Sequence, residues 1–354
     1  MAAREKKGYG VEADKARRFA ASVLDRLDVQ DADARTTARL LVRSDLRGVH
    51  THGLKFLPVY ARRIMAGGCN PRPQIRIVSR GSWGAVLDGD AGLGQIGGMR
   101  ALTKARETAD ARGMGFGACR NTSHAGALAP YLLEACGGRV IVGFANTGPS
   151  MAPPGGNFRA IGNNILGFAA PVRGAAPLCL DMTTSTLSWG KVRDRIERGA
   201  SLPEGVALLP DGFWAADPTA ALEHAVAAPL GGGKGFGLAL MIDVLAAGLT
   251  GGTFSPGLKL LHRELSGPEE TCAAFLVFRL DKMPGGRSLP DRLAEWRRSI
   301  KHGRKMPGIH DLFLPGERSA TREAENRRRG FPMSPALRKE LNELASELKL
   351  RQRI

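Results

Sequence analysis

Cysteine is scarce in this chain and follows no pattern. Five residues in 354 (Cys69, Cys119, Cys136, Cys179 and Cys272) lie scattered, with no Cys-x-x-Cys pair among them. An odd, dispersed set argues against a disulfide framework and reads as reduced, mostly buried thiols of a cytoplasmic protein. No run of about 18 apolar residues is evident, so no membrane span is expected. The first residues, Met1-Ala2-Ala3-Arg4-Glu5-Lys6-Lys7, are charged and lack the apolar segment of a secretory signal. Acidic residues are in deficit, 34 against 51 Lys and Arg, for a formal net charge of +17. The excess sits late: Arg287 to Ile354 holds 17 basic against 9 acidic residues, with Arg327-Arg328-Arg329 the densest run. Such a balance raises a non-catalytic nucleic-acid-binding protein as one function class. Zinc-finger spacing, an aromatic RNP pattern and a heptad zipper are all missing, so the charge has no recognition scaffold. The preferred reading is a solvated arginine-rich surface whose field attracts anionic substrates and dinucleotides.

What is present is a chain long enough to bury a large core in two domains, or one domain with subdomains. No internal repeat interrupts it. Helices are predicted over Val11 to Leu27, Asp31 to Arg43 and Leu54 to Met65 from apolar spacing and from caps such as Asp31 or Asp33. Strands follow at Ile75 to Val78 and Ala85 to Leu87, a helix at Met99 to Arg112, a strand at Gly115 to Arg120 and a helix at Leu128 to Ala135. Val140 to Ala145, Leu166 to Pro171, Leu178 to Leu180 and Ala273 to Leu280 read as further strands, and Lys234 to Leu249 as a strongly apolar helix. From Pro290 onward the chain reads as mostly helical, ending in Ala336 to Leu350. Helical ends around a strand-rich centre suggest an α/β fold with two parts. Residues 1–82 with 319–354 are expected to form a mostly helical domain, and residues 83–318 an α/β domain.

Two segments concentrate chemistry. Asp45-Leu46-Arg47-Gly48-Val49-His50-Thr51-His52-Gly53 gathers two imidazoles, a guanidinium, a hydroxyl and a carboxylate between glycines, and Asn121-Thr122-Ser123-His124-Ala125-Gly126 repeats the theme. Imidazole suits proton transfer near neutral pH, and a guanidinium fork suits a carboxylate. Two glycine motifs compete as phosphate sites. Gly92-Leu93-Gly94-Gln95-Ile96-Gly97 satisfies G-x-G-x-x-G, but the next strand ends at Cys119-Arg120-Asn121 without the acidic residue of a Rossmann site, and Asp88 and Asp90 approach from the wrong charge. Gly231-Gly232-Gly233-Lys234-Gly235-Phe236-Gly237 is the better candidate, with Gly233 and Lys234 at the start of the apolar helix. It is not a Walker loop, because Gly235 stands where Ser or Thr would hold magnesium.

The motif Asp-Leu-Arg-Gly-x-x-Ser/Thr-His-Gly resembles the malate/L-lactate dehydrogenase family that is distinct from ordinary lactate and malate dehydrogenases. That family includes sulfolactate, ureidoglycolate and diketogulonate oxidoreductases and a piperideine-2-carboxylate reductase. The resemblance runs in order through Val86-Leu87-Asp88-Gly89, Gly92-Leu93-Gly94-Gln95, Asn121 to Gly126, Ile161-Gly162-Asn163-Asn164, Leu180 to Ser185, Gly190-Lys191-Val192, Gly233 to Leu238 and Leu314-Pro315-Gly316-Glu317. Thr51, Ala125, Ile165 and the segment Leu260 to Thr271 depart from the family pattern.

The resemblance implies a non-Rossmann dinucleotide-binding fold with a mixed or largely antiparallel sheet. It also implies NAD or NADP as cofactor, a homodimer, and hydride transfer between nicotinamide and C2 of a small 2-hydroxy or 2-oxo acid. His52 is the first candidate for acid/base work and His124 the second, since family members use either position. Thr51 binds substrate or orients the ring, and Arg47 is the candidate carboxylate clamp. Asp181, expected at a strand end, orients a histidine or touches the nicotinamide. Family analogy assigns the cofactor to Leu178, Leu180, Asp181, Met182 and Thr183, to Asn146 or Thr147, and to Gly316, Glu317 and Arg318. Arg120 and Arg193 are candidates for a 2′-phosphate. His50 is expected to face elsewhere, and His224, His262, His302 and His310 to be structural or superficial. A metal held by His50, His52, His124 and Asp181 is conceivable but lacks any ligand spacing, and hydride transfer needs none. Within the same chemistry, reduction of cyclic or N-alkyl 2-imino acids is the nearest alternative.

Overall fold

A computed structural model describes residues 10–354, so the reading of Met1 to Lys7 falls outside the described residues. The chain opens with α1 (Ala13–Arg26), α2 (Asp31–Leu46) and α3 (Leu57–Met65), two short 3-10 turns at His50–His52 and Leu54–Phe56 linking the last two. Phe19, Val23 and Leu24 from α1 meet Leu41 and Leu46 from α2 and Leu57 and Tyr60 around α3 in one apolar core. The chain end returns to it: Phe331, Leu341, Leu344 and Ile354 are buried there, the last helices being α10 (Glu317–Arg329) and α11 (Pro335–Glu347).

The centre is a seven-stranded sheet. In chain order its strands are β1 (Arg76–Gly81), β2 (Gly84–Asp88), β3 (Met114–Thr122), β4 (Arg139–Ala145), β5 (Ile165–Ala170), β6 (Leu178–Thr183) and, after a small β7–β8 hairpin-like pair (Ala207–Leu208 with Val226–Ala227), β9 (Thr271–Arg279). The spatial order is β1-β2-β3-β9-β4-β5-β6; only β2 and β3 run parallel. This is the mixed, largely antiparallel sheet expected. Alternation along β9 shows why it is central: Ala273, Phe275 and Val277 enter one core while Cys272 and Ala274 enter the opposite one. The first face is covered by α4 (Gly94–Arg112) and α5 (Ala129–Ala135), the second by α8 (Gly233–Ala246).

The expectation that no stretch is apolar enough to span a bilayer needs correction, because Gly233–Thr250 meets that test by length and composition. Within it, however, Ala239, Ile242, Asp243 and Ala246 are buried against neighbouring elements of the protein. Two helices were not expected: α6 (Trp189–Arg198) and α7 (Pro218–His224), which share a small core of Val192, Leu202, Val206 and Ala221. All five cysteines are free and buried.

Candidate active site

The turn between α2 and α3 is shaped by Asp45. Its buried carboxylate accepts hydrogen bonds from the Leu54 amide (2.8 Å) and from His50 Nδ1 (2.9 Å). Gly53 is obligatory beside it, since a Cβ there would fall 2.2 Å from that carboxylate. His50 is thereby held away from the cavity, while Thr51 and His52 turn into it, with Thr51 Oγ1 3.0 Å from His52 Nδ1.

His124 arrives from the end of β3 and is placed by the G-x-G-x-x-G segment. A Cβ on Gly94 would lie 2.1 Å from the Ser123 carbonyl and 2.6 Å from the Ala125 nitrogen, so only glycine lets the first turn of α4 press on this backbone. The next residue, Gln95, reaches the buried Tyr60 hydroxyl at 2.8 Å, and Tyr60 in turn lies 2.9 Å from His124 Nδ1. The motif therefore builds the site by close packing.

His52 and His124 face one cavity of about 350 Å³, their ring centroids 5.8 Å apart. Phe56 stacks on both, at 5.6 and 4.7 Å. Loss of hydration pushes His52 down to about 4, and burial with the neighbouring His52, His262 and Arg63 holds His124 well below the ordinary imidazole range. Both rings rest neutral at pH 7.

Beneath His124 lies Glu269, whose buried carboxyl accepts from the His124 amide (2.9 Å) and the Ser123 hydroxyl (3.1 Å). Burial raises it to about 7, against the pull of Arg63 and these bonds. Arg63, fully buried, donates to the carbonyls of Gly68, Leu261, Glu264 and Gly267 and so ties the 261–267 segment to α3.

The opposite wall is α6 and the 260–263 segment. Lys55 pairs with Asp194 (3.8 Å) and Glu197 of α6, which brings Arg193 to the cavity. Arg193 is half-buried, its proton affinity lowered by that burial, and among the described residues no carboxylate or carbonyl bonds its guanidinium. Arg159 and His262 also line the cavity, His262 beside Phe56 at 5.8 Å.

Several expected site residues do not reach this cavity. Arg47 is buried and donates to Glu323 (2.9 Å), so it is spent on an internal ion pair and is not positioned to clamp substrate. Asp181 lies inside β6, not at its end; it accepts from the Ala129 amide (2.8 Å) at the start of α5 and orients no histidine. Asn146 is consumed by Asp243, the Thr253 carbonyl and the Cys272 amide. Thr147 and Thr183 do line the cavity, whereas Leu178, Leu180 and Met182 lie elsewhere along β6. Gly233 and Lys234 are exposed at the start of α8, joined to the end of β6 by the Leu230 amide bonding the Thr184 carbonyl (2.9 Å). Gly316 packs on Cys179 at the other end of β6, Glu317 pairs with Arg297 (2.6 Å), and Arg318 stacks on Phe313. His50 and Asp181 point away, so the four conceivable metal ligands are not assembled.

Sequence reasoning missed Tyr60, Gln95 and Glu269, gave Arg193 only a nucleotide role, and set His262 aside. One signal was available: Thr51, Ile165, Leu260 to Arg263 and Glu269, all at or within the departures from the family pattern, line the cavity.

A family model described as malate/L-lactate dehydrogenase matches residues 11–342. The chain belongs to that family. It is 33% identical to a malate dehydrogenase of Pyrococcus abyssi over 92% of this chain and 91% of the relative. It is 34% identical to an L-sulfolactate dehydrogenase of Methanocaldococcus jannaschii, over 93% and 94%. The solved sulfolactate dehydrogenase of M. jannaschii superposes with a TM-score of 0.88 at 30% identity, covering 96% of this chain and 98% of that one. The protein is accordingly an NAD(P)-dependent oxidoreductase with this family's fold.

Proposed function

We propose that the chain interconverts a small 2-hydroxy acid and its 2-oxo acid, with His124 moving the proton and Arg193 gripping the carboxylate. The observation that carries this is the pairing, in one cavity, of a half-buried guanidinium without an internal partner and an imidazole fixed from behind. When bound, the nicotinamide supplies or accepts the hydride at C2. His124 is preferred to His52 because of the chain behind it. Gln95 has a buried oxygen, Oε1, without a partner. A half-turn of its amide puts that oxygen where Nε2 now lies, 2.8 Å from the phenol. Tyr60 then donates to Gln95, His124 Nδ1–H donates to Tyr60, and Nε2 alone gains and loses the proton. In oxidation, neutral Nε2 takes the hydroxyl proton; in reduction, the imidazolium returns it to the carbonyl oxygen. His52, steadied by Thr51, bonds the same oxygen or the carboxylate. Phe56 keeps water from both rings.

The residues suit a dinucleotide lying along β6. This edge strand ends at Thr183 on the cavity, beside the glycine loop before α8, and begins beside Gly316. Gly232 and Gly233 have open space around them, and Lys234 is exposed there. We assign these segments to the cofactor, Arg318 included. Leu240, Met241, Val244, Leu249 and Phe254 leave an exposed apolar face around α8, which supports a homodimer; five buried free thiols support a cytoplasmic setting. The test is nicotinamide absorbance with NADH and NADPH over pyruvate, oxaloacetate and sulfopyruvate, with and without methylamine. Turnover of an oxo acid without amine is expected. Turnover only with amine would move the substrate to 2-imino acids, and no turnover with any of them would overturn this reading.

A further inference from the structure

A second cavity, of about 600 Å³, lies at the other end of β6 from the hydride-transfer cavity, and its wall includes Arg304, Met306, Ile309, Phe313, Gly316 and Arg318. Its electrostatics are lopsided. The two acidic side chains near it are already engaged: Asp311 by Lys301 (3.3 Å), and Glu317 by Arg297 (2.6 Å), Lys301 (3.1 Å) and the Leu314 amide. The cations are not. Among the described residues neither Arg304 nor Arg318 bonds an acceptor; the Arg318 guanidinium lies 4.5 Å over the face of Phe313, and Lys301 lies 5.2 Å from the same ring. Met306 and Ile309 are each more than two-fifths exposed, an apolar shelf beside two guanidinium groups that have no carboxylate partner.

This groove opens at the start of β6, where the Cys179 amide bonds the Pro315 carbonyl (3.0 Å), while Thr183 at the far end opens on the hydride-transfer cavity. Four residue steps along the strand separate Cys179 from Thr183, about 13 Å at the usual rise. A dinucleotide with its nicotinamide at Thr183 and lying along β6 would bring its adenosine to this groove. A site selecting NAD offers a free carboxylate to the ribose 2′-hydroxyl, and one selecting NADP offers arginine to the 2′-phosphate. Here the carboxylates are spent and the arginines remain. We propose that this groove binds the adenosine 2′-phosphate through Arg304 and Arg318, the purine resting on Met306 and Ile309, and that the enzyme prefers NADP(H). The inference rests on the nucleotide reading above and adds the choice between the two cofactors.

Calorimetric titration of the full chain tests it without turnover. The probes are NADPH, NADH, 2′,5′-ADP and 5′-ADP. NADPH is expected to bind at least about ten-fold tighter than NADH, and 2′,5′-ADP tighter than 5′-ADP by a similar factor. Arg304→Ala should cut NADPH affinity roughly ten-fold while leaving NADH within about two-fold, and Arg318→Ala should weaken NADPH more than NADH. Equal binding of the two dinucleotides, or equal losses for both in the variants, overturns the 2′-phosphate site. If NADH still binds and turns over in that case, the oxidoreductase reading stands. If neither dinucleotide binds, both fall together.

Discussion

The floor and the roof of the hydride-transfer cavity obey opposite rules. On the floor the side chains around the proton-transfer ring bond one another: His124 has Tyr60, Tyr60 has Gln95, and Glu269 holds the His124 amide and the Ser123 hydroxyl. On the roof, Arg193 has no such partner, and Arg159 makes only a long bond to the Ala225 carbonyl (3.5 Å). A buried polar group that is satisfied fixes geometry, whereas a half-buried cation left unsatisfied is stable only at a cost that an anionic ligand removes. The floor is therefore built for chemistry and the roof for choosing the molecule that undergoes it. Floor substitutions should lower kcat, and roof substitutions should raise KM.

The largest effect belongs to His124. Replacing it with Gln keeps the volume and one hydrogen bond but removes the titratable nitrogen, and kcat should fall by about 10² to 10⁴. His52→Gln should cost less, because His52 has no phenol–amide chain behind it. Steady-state kinetics of the two variants decide the matter, and a larger loss at His52 would reverse the assignment. In the native enzyme, the lowered proton affinity of His124 should place the acid limb of the oxidation reaction below the ordinary imidazole value near 6.5.

Glu269 sharpens the contrast from the stability side. Its folded value near 7 stands above the 4.5 of an unperturbed glutamate. Between those two values the folded state holds a proton that the unfolded state has released, so the stabilisation present below about 4.5 is lost as pH rises toward 7. Glu269→Gln keeps an acceptor for the His124 amide and removes that loss. The variant should gain on the native protein as pH rises from 4.5 to 7, by on the order of 3 kcal/mol, and then level off. Thermal melts of both proteins across that range check it; a constant difference would mean that Glu269 is ionised throughout in the fold.

The same division explains how far the sequence could be read. The floor announces itself locally, through His52 and His124 set among glycines and small polar residues, and the sheet through clean alternation such as that of β9. Gln95 was hidden inside a glycine motif whose spacing suggested phosphate, because close helix packing and close phosphate approach demand the same residue. Asp181 was misjudged because β6 runs three residues beyond its apolar stretch, which turns a supposed strand end into an interior position capping α5. The roof was nearly silent. The apolar stripe of α6 is only three residues, Trp189, Val192 and Ile196, of which Val192 alone is buried, and Arg193 looks like one more charge in a strongly basic chain. Its neighbour α7 could have been found, since Asp217-Pro218 is a readable helix start and Asp217 does cap the Thr219 and Ala220 amides.

Arg193 gives the smallest effect and the most specific one. Arg193→Ala removes a charged hydrogen-bonding group worth about 1.5–3 kcal/mol, so KM for the 2-oxo acid should rise roughly 10- to 150-fold with kcat changed little. Arg193→Lys restores the charge but not the planar fork, and should recover only part of that loss. A substrate analogue with an amide in place of the carboxylate should bind the native enzyme and Arg193→Ala about equally, because the interaction that distinguishes them is then missing from both. If instead kcat collapses in Arg193→Ala while KM holds, the guanidinium acts on the reacting oxygen, and the separation of floor from roof fails at the residue meant to define it.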